Sequence, residues 1–355
     1  MATLILDERR PVTRWLDARW RRWDARPPAW LPAAARVTEP VRRRLLARRL
    51  ARRPAPPQGV LVVSVGNLAL GGTGKTPVTI ALAAALRRRG MPVAVATRGH
   101  GSPVRGPVRV DPRDARLGDE ARLMAAALPD VPVIQGRDRA AGLAAAAAAA
   151  PGGVVLLEDG HQAAAGRHLD LLLLDRWTEA GGTLHPAAGR PLPWGPYREP
   201  AAGAARAAAW LLPLPPGAPF PAARAPVPLF GFRSRTAPPD PAVAPLPAGR
   251  YGLLAGIARP ERLLAACDEA LGRPPAVAVW CDDHARHGPR RLARLARLAR
   301  RHDLAAWVTT GKDAVKLGGG DLPVPLVVLR QELAWEGPDD PAAWLRKRWE
   351  QEVRR

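Results

Sequence analysis

Eight consecutive residues are of the types that hold a nucleotide: Ala69, Leu70, Gly71, Gly72, Thr73, Gly74, Lys75 and Thr76. Glycines let backbone N–H groups approach phosphate oxygens, the lysine reaches the β- and γ-phosphates, and the threonine hydroxyl takes Mg²⁺. The first position is Ala69 rather than the consensus glycine, so context has to carry the assignment. It does: the loop follows an apolar β-branched run, Val60–Val65, and precedes a helical pattern over Pro77–Arg89. The alternative is a plain glycine-rich turn. Farther along, Glu158-Asp159-Gly160 ends another apolar run, Val154–Leu157. In P-loop proteins a carboxylate placed there holds the nucleotide's Mg²⁺, a role that fits Asp159 or Glu158. Together the two signals point to nucleoside-triphosphate chemistry. Lysine usage agrees, since Lys75, Lys312, Lys316 and Lys347 are the only lysines among 54 basic residues. Where arginine fills nearly every basic position, a retained lysine marks a task that arginine cannot do.

The elements that must position these residues alternate between strand and helix. After Val60–Val65 and Pro77–Arg89 the pattern predicts strands at Pro92–Thr97, Val131–Ile134, Val154–Leu157 and Leu169–Leu174, with a helix at Asp119–Ala127. A second block follows, with strands at Tyr251–Ala255, Ala276–Trp280, Ala305–Thr309 and Leu326–Leu329 and helices at Pro260–Leu271 and Pro289–Arg301. Such alternation implies an α/β fold, a P-loop NTPase-like, mostly parallel sheet with helices on both faces, plus a second, smaller α/β domain. The expected organisation is a basic amphipathic N-terminal helical segment, 1–57, and a P-loop kinase-type domain, 58–205. A Pro/Ala-rich linker region with one or two strands, 206–250, then leads to the second domain, 251–338, and a C-terminal helix, 339–355.

The chain has 355 residues, and 54 Lys and Arg against 32 Asp and Glu give a formal net charge of +22, which favours anionic partners. Residues 1–57 hold 15 arginines against five acids, and Val12, Trp15, Leu16, Trp20 and Trp23 recur at helical spacing opposite Arg14, Asp17 and Arg21. A basic helix with an apolar Trp face either lies in a lipid headgroup layer or packs on the domain behind it. The apolar stretch Ala140–Leu157 is mostly alanine, broken by Pro151, Gly152 and Gly153, and is too weak for a membrane span. The N-terminus shows no secretory signal pattern. Two cysteines, Cys267 and Cys281, exclude a disulfide framework and suit a reducing compartment.

The segment from Ser64 to Pro77 closely resembles the P-loop of the tetraacyldisaccharide 4′-kinase (lipid A kinase) family. The likeness continues in order through Thr97–Gly101, Gly118-Asp119-Glu120, Gly136–Arg139, Glu158–Gln162, Tyr197–Pro200, Ala255–Pro260, Asp283-His284 and Thr310–Lys316. The resemblance implies transfer of the ATP γ-phosphoryl group to the 4′-hydroxyl of a membrane-embedded tetraacylated disaccharide 1-phosphate. It further implies Mg²⁺ as cofactor, an anionic membrane surface as partner, and a peripheral place on the cytoplasmic face of the bacterial inner membrane. By motif, Lys75 and Thr76 serve ATP and metal, Asp159 is a metal-site acid, Asp119 the base and His284 its partner. Arg198 and Glu199 are further active-site residues. His287 lies in the same loop as His284, and only the resemblance selects between them. The family usually has tyrosine at His100, aspartate at Glu158, histidine at Ala163 and glutamate at Gly311, so a divergent member is expected.

Two other classes stay open on the residues alone. A nucleic-acid-dependent NTPase would suit the charge, but it calls for aromatics interleaved with basic residues. Here there are only two Tyr and three Phe, and no nucleic-acid partner is expected. A non-catalytic membrane-surface protein on a decayed kinase would keep the basic N-terminus and lose ATP binding.

Overall fold

The computed structural model of the chain describes residues 3–15, 28–70, 73–187, 189–192, 195–239, 246–257, 260–283, 285, 287–317 and 322–353. The first half runs β1 (Leu4–Asp7), α1 (Trp30–Ala51), β2 (Leu61–Asn67), α2 (Lys75–Arg88), β3 (Val93–Thr97), β4 (Val108–Arg109) and α3 (Asp119–Ala127). It continues with β5 (Val133–Gln135), α4 (Arg139–Ala149), β6 (Val154–Glu158), β7 (Leu169–Leu173), β8 (Trp177–Ala180) and β9 (Thr183–Pro186). A 3₁₀ turn at Ala201–Arg206 leads to β10 (Ala209–Pro213), β11 (Leu229–Ala237), β12 (Arg250–Ala255), α5 (Pro260–Leu271) and β13 (Val277–Trp280). Last come α6 (Pro289–Arg301), β14 (Leu304–Thr310), α7 (Gly311–Leu317), β15 (Leu326–Glu336) and α8 (Pro341–Val353).

Thirteen strands form one sheet in the order β1-β13-β12-β14-β15-β11-β10-β7-β2-β6-β3-β5-β4, while β8 and β9 make a separate hairpin. Neighbours are parallel except at β11·β15 and β4·β5. Parallel strands covered on both faces read as unbroken apolar runs, and β2, β3 and β6 are buried at every position. On one face of the P-loop half, Val63, Leu156 and Leu171 pack with α2, α3 and α8; on the other, Val62 and Leu157 pack with the alanine-rich α4. Burying each such Val or Leu contributes about 1.5–3 kcal/mol. The second block has its own two cores, around Leu253 and Trp307.

Three expectations need revision. The N-terminal segment is not helical throughout, because Leu4–Asp7 is an edge strand paired in parallel with β13, Leu4 opposite Val277. Its apolar Leu-Ile-Leu run suits a strand laid on a free edge, with Thr3 Oγ1 donating to Pro275 O at 2.8 Å. Of the expected Trp-bearing face, Val12 and Trp15 are exposed, while Leu16, Trp20 and Trp23 lie outside the described residues. The stretch 206–250 holds the two strands allowed for it, β10 and β11, but they lie in the middle of the sheet rather than in a linker, since Trp210–Leu212 and Phe230–Phe232 are apolar enough to be buried there. Finally, β15 continues beyond Leu329 to Glu336, where its second part pairs with β11 and lays Leu333 and Trp335 on the core shared with α2 and α8.

Candidate functional site

The phosphate-loop turn stands at the C-terminal end of β2. Gly74, at the N-cap of α2, has φ +95°, a left-handed conformation that a side chain would strain. No side chain caps the first turn of α2 and no acid sits in it, so its N–H groups and its partial positive charge face the turn. Lys75, the first residue of α2, directs Nζ to Asn67 Oδ1 at 3.2 Å and to Asp159 Oδ1 at 3.6 Å. Asn67 also donates to Thr73 Oγ1 at 2.6 Å, so the last residue of β2 braces both the loop and the lysine. Thr76 is buried behind them. Gly71 and Gly72 lie outside the described residues.

Asp159 reaches this turn because β6 pairs in parallel with β2, Val65 opposite Glu158, and the chain leaves β6 one residue later. Its φ of +52° is left-handed, an uncommon and strained state for a non-glycine residue. Gly160 follows because a Cβ there would lie 2.6 Å from Leu157 Cδ2 and Ser64 Oγ. Arg198 Nη1 donates to both Asp159 oxygens, at 2.8 and 2.9 Å. Burial opposes the Asp159 carboxylate, yet Lys75, Arg198 and Arg139 outweigh it and hold the group below the usual aspartate range. Glu158 behaves oppositely. It is buried, accepts only from Thr97 Oγ1 (3.1 Å) among the described hydrogen bonds, and burial with the nearby charges of Glu120 and Asp159 pushes it up to about 7. Two carboxylates beside a threonine hydroxyl are a donor set that suits Mg²⁺, with phosphate oxygens and water filling the remaining positions.

Arg198 and Glu199 are brought in by a strap laid along the loop's first residues. Ala69 bridges to Tyr197, and Arg198 N donates to Leu68 O at 2.7 Å. Glu199 accepts from Gln162 Nε2 (2.6 Å) and Arg206 Nη2 (2.7 Å), and buried His161 lies 3.7 Å away, so these contacts brace the strap.

Asp119 and Glu120 open α3, where acids suit the helix dipole. The structure links this turn to the second block through Lys312, whose Nζ lies 3.2 Å from Glu120 Oε1 and 2.8 Å from Asp283 Oδ1. His284 lies outside the described residues. His287 is not a surface-loop histidine: it is buried, neither ring nitrogen has a hydrogen-bond partner among the described residues, and burial with the nearby Lys316 and Arg291 pushes it down to about 4 against the pull of Asp313. Of the departures from the family pattern, Gly311 opens α7 and Ala163 is part-buried beside α4.

Sequence reasoning gave no roles to Asn67, Arg139 and Gln162, although each falls within a quoted motif. Arg139 Nη2 donates to Asp159 O (3.2 Å), and Gln162 Nε2 donates to Asn67 O (2.8 Å). Arg206 had no sequence signal at all.

Residues 28–350 match the family model for tetraacyldisaccharide-1-P 4′-kinase. A tetraacyldisaccharide 4′-kinase of Rhodospirillum centenum is 40% identical over 316 residues, covering 87% of each chain. One from Maricaulis maris is 39% identical over 282 residues, covering 77% of this chain and 78% of that one. The fold is also that of a crystal structure described as the "apo" form of LpxK from Aquifex aeolicus in complex with ATP. That match has a TM-score of 0.63 at 24% identity, over 89% of this chain and 95% of the other.

Proposed function

The chain belongs to the tetraacyldisaccharide 4′-kinase family, and from that premise we propose that it moves the γ-phosphoryl group of ATP to the 4′-hydroxyl of a tetraacyldisaccharide 1-phosphate. The observation that carries the reading is the convergence of Lys75, Asn67, Asp159 and Arg198 on the turn between β2 and α2. Loop N–H groups and the α2 N-terminus bind the β- and γ-phosphates, and the Lys75 ammonium follows the charge on the migrating group. Mg²⁺, held by Thr76 and Asp159 with Glu158 behind, supplies charge neutralisation on the phosphate oxygens when bound. Arg198 competes with a cation for Asp159 and is well placed to turn to phosphate when Asp159 takes a metal. Asp119 accepts the proton of the sugar hydroxyl, with His284 as its partner.

The acceptor is a lipid, and α1 offers the surface to meet it. Trp30, Val37, Val41 and Leu45 are exposed along α1, within about 80° of arc at 100° per residue. Arg44, Arg48 and Arg52 prolong the stripe, and buried Leu31 and Ala35, about 80–120° around the helix from its centre, tie a flank of α1 to the body. An apolar stripe ending in arginines suits a helix lying on an anionic bilayer at the cytoplasmic face of the inner membrane. No helix among the described residues is long and apolar enough to cross one.

The test is transfer of radiolabel from [γ-³²P]ATP to the purified tetraacyldisaccharide 1-phosphate in mixed micelles. Label in the lipid, absent with Lys75→Ala, is the expected result. ATP turnover that ignores the lipid would overturn the reading.

A further inference from the structure

Lys312 is a lysine in an arginine-rich chain, and the phosphate-binding chemistry does not use it. It stands near the start of α7, immediately after β14. Its side chain is 17% exposed and lies between two carboxylates from opposite blocks of the fold. Glu120, at 3.2 Å, belongs to the first turn of α3; Asp283, at 2.8 Å, belongs to the turn after β13 and precedes His284 in the chain. Burial works against the ammonium, but Glu120, Asp283 and Asp119 together hold it charged and above the usual lysine range. Asp119 is bound into the same turn, since Glu120 N donates to Asp119 Oδ1 at 3.0 Å.

We infer that Lys312 is a positioning residue that ties Glu120 to Asp283 and so fixes Asp119, at the start of α3, against the second block of the fold. The inference rests on the reading of Asp119 as the base. An ammonium suits this place because its three donors diverge from one nitrogen and can serve carboxylates arriving from different directions. A guanidinium presents a planar fork suited to one. The bridge is also a direct polar link between α3 and α7, two helices packed against each other across the two blocks. Without it the α3 turn keeps its own fold, while its carboxylates repel Asp283 across the gap and Asp119 moves off the acceptor hydroxyl. A displacement of the order of 1 Å at a reacting group is worth about a hundredfold in rate.

The experiment uses the full chain, [γ-³²P]ATP and tetraacyldisaccharide 1-phosphate in micelles, with Lys312→Met and Lys312→Arg, each also placed in an Asp119→Asn background. Lys312→Met is expected to lower kcat by about ten- to a hundredfold with the KM for ATP within about twofold, because the phosphate loop is untouched. Lys312→Arg keeps the charge and recovers part of the loss. In the Asp119→Asn background, Lys312→Met adds less than about threefold, since its effect runs through Asp119. A kcat for Lys312→Met near the parent value, in a chain whose Asp119→Asn variant is crippled, overturns the inference alone. So does an equal cost in both backgrounds, or no recovery by Lys312→Arg. Full activity of Asp119→Asn by itself overturns the base reading and this inference with it.

Discussion

Lys75→Ala tests the heart of the site, and its cost can be scaled from the geometry. The ammonium lies 3.6 Å from Asp159 Oδ1, and its side chain is 11% exposed. At that distance and an effective dielectric near 20, two unit charges attract by about 5 kcal/mol. A γ-phosphoryl oxygen taking the carboxylate's place would feel a pull of the same order. Part of that pull is already exerted on ground-state ATP, and only the part that grows in the transition state changes kcat. If half of it grows, Lys75→Ala loses about 2–3 kcal/mol, or about a hundredfold in kcat. Lys75→Arg should fare little better, because the bulkier planar group cannot keep both Asn67 Oδ1 and a phosphate oxygen on one nitrogen. The assay is label transfer at saturating ATP and lipid, with ATP affinity measured separately by calorimetry and folding checked by thermal unfolding. If folded Lys75→Ala turns over within about threefold of the parent, the phosphate-loop assignment is wrong and the electrostatic argument falls with it.

Asp119→Asn should lower kcat by about 10²–10⁴-fold with ATP affinity nearly intact, and His284→Ala should cost less. Steady-state transfer kinetics decide, and full activity in Asp119→Asn would move the base to Glu120 or Glu158. The α1 stripe should govern membrane binding, so Val37→Asp with Leu45→Asp should weaken co-sedimentation with anionic vesicles, and added salt should weaken it further. Unchanged sedimentation of that double variant would refute the lipid-facing role of α1. His287 gives a pH signature: its folded value of about 4 lies below the unfolded 6.5, so the unfolded chain binds more protons between them. The stability it protects is therefore whole above pH 6.5 and is lost as pH falls toward 4, by on the order of 3 kcal/mol. His287→Leu should flatten that acid limb in denaturant melts, and an unaltered limb would show that His287 is accessible to protons in the fold.

The parts of the site readable in the sequence are those where chemistry and local structure coincide. The loop from Ala69 to Thr76 follows a buried strand, and Asp159 follows another, so a strand-end rule finds both. The strap did not show itself this way, because Arg198 reaches Asp159 through the pairing of Tyr197 with Ala69, a contact across more than a hundred residues that no periodicity reports. Arg206 and the Lys312 bridge are long-range in the same sense. Among the elements, β1 was missed because four residues on an edge carry too little pattern, while α1 falls within the segment expected to be helical. The second part of β15 was missed for a physical reason too. Arg330–Glu336 pairs with β11 and lays Leu333 and Trp335 part-buried on the core, but Arg330, Gln331 and Ala334 are exposed, so the mixed run carries only a weak burial signal.

That pairing explains how two separate sheet regions can serve one reaction. Within each block the strands that carry the site run parallel, so loops at their C-terminal ends carry the functional groups: Asn67 and Asp159 in the first, Asp283 and Lys312 in the second. The blocks meet through the antiparallel pair β11·β15, which reverses strand direction between them. In a flat sheet the two sets of C-terminal ends would therefore face opposite ways, and Lys312 could not touch Glu120. Two-stranded ribbons twist more strongly than wide sheets, by more than about 25° per strand pair. The seven paired positions from Gly231·Glu336 to Ala237·Arg330 give that twist length over which to accumulate. A twist accumulated there would turn the second block back over α3, and the Lys312 contacts with Glu120 and Asp283 show that the two do meet. The first turn of α3 and the start of α7 thus meet where the two blocks face each other. A reaction that admits a bulky lipid headgroup and then excludes water has use for that arrangement.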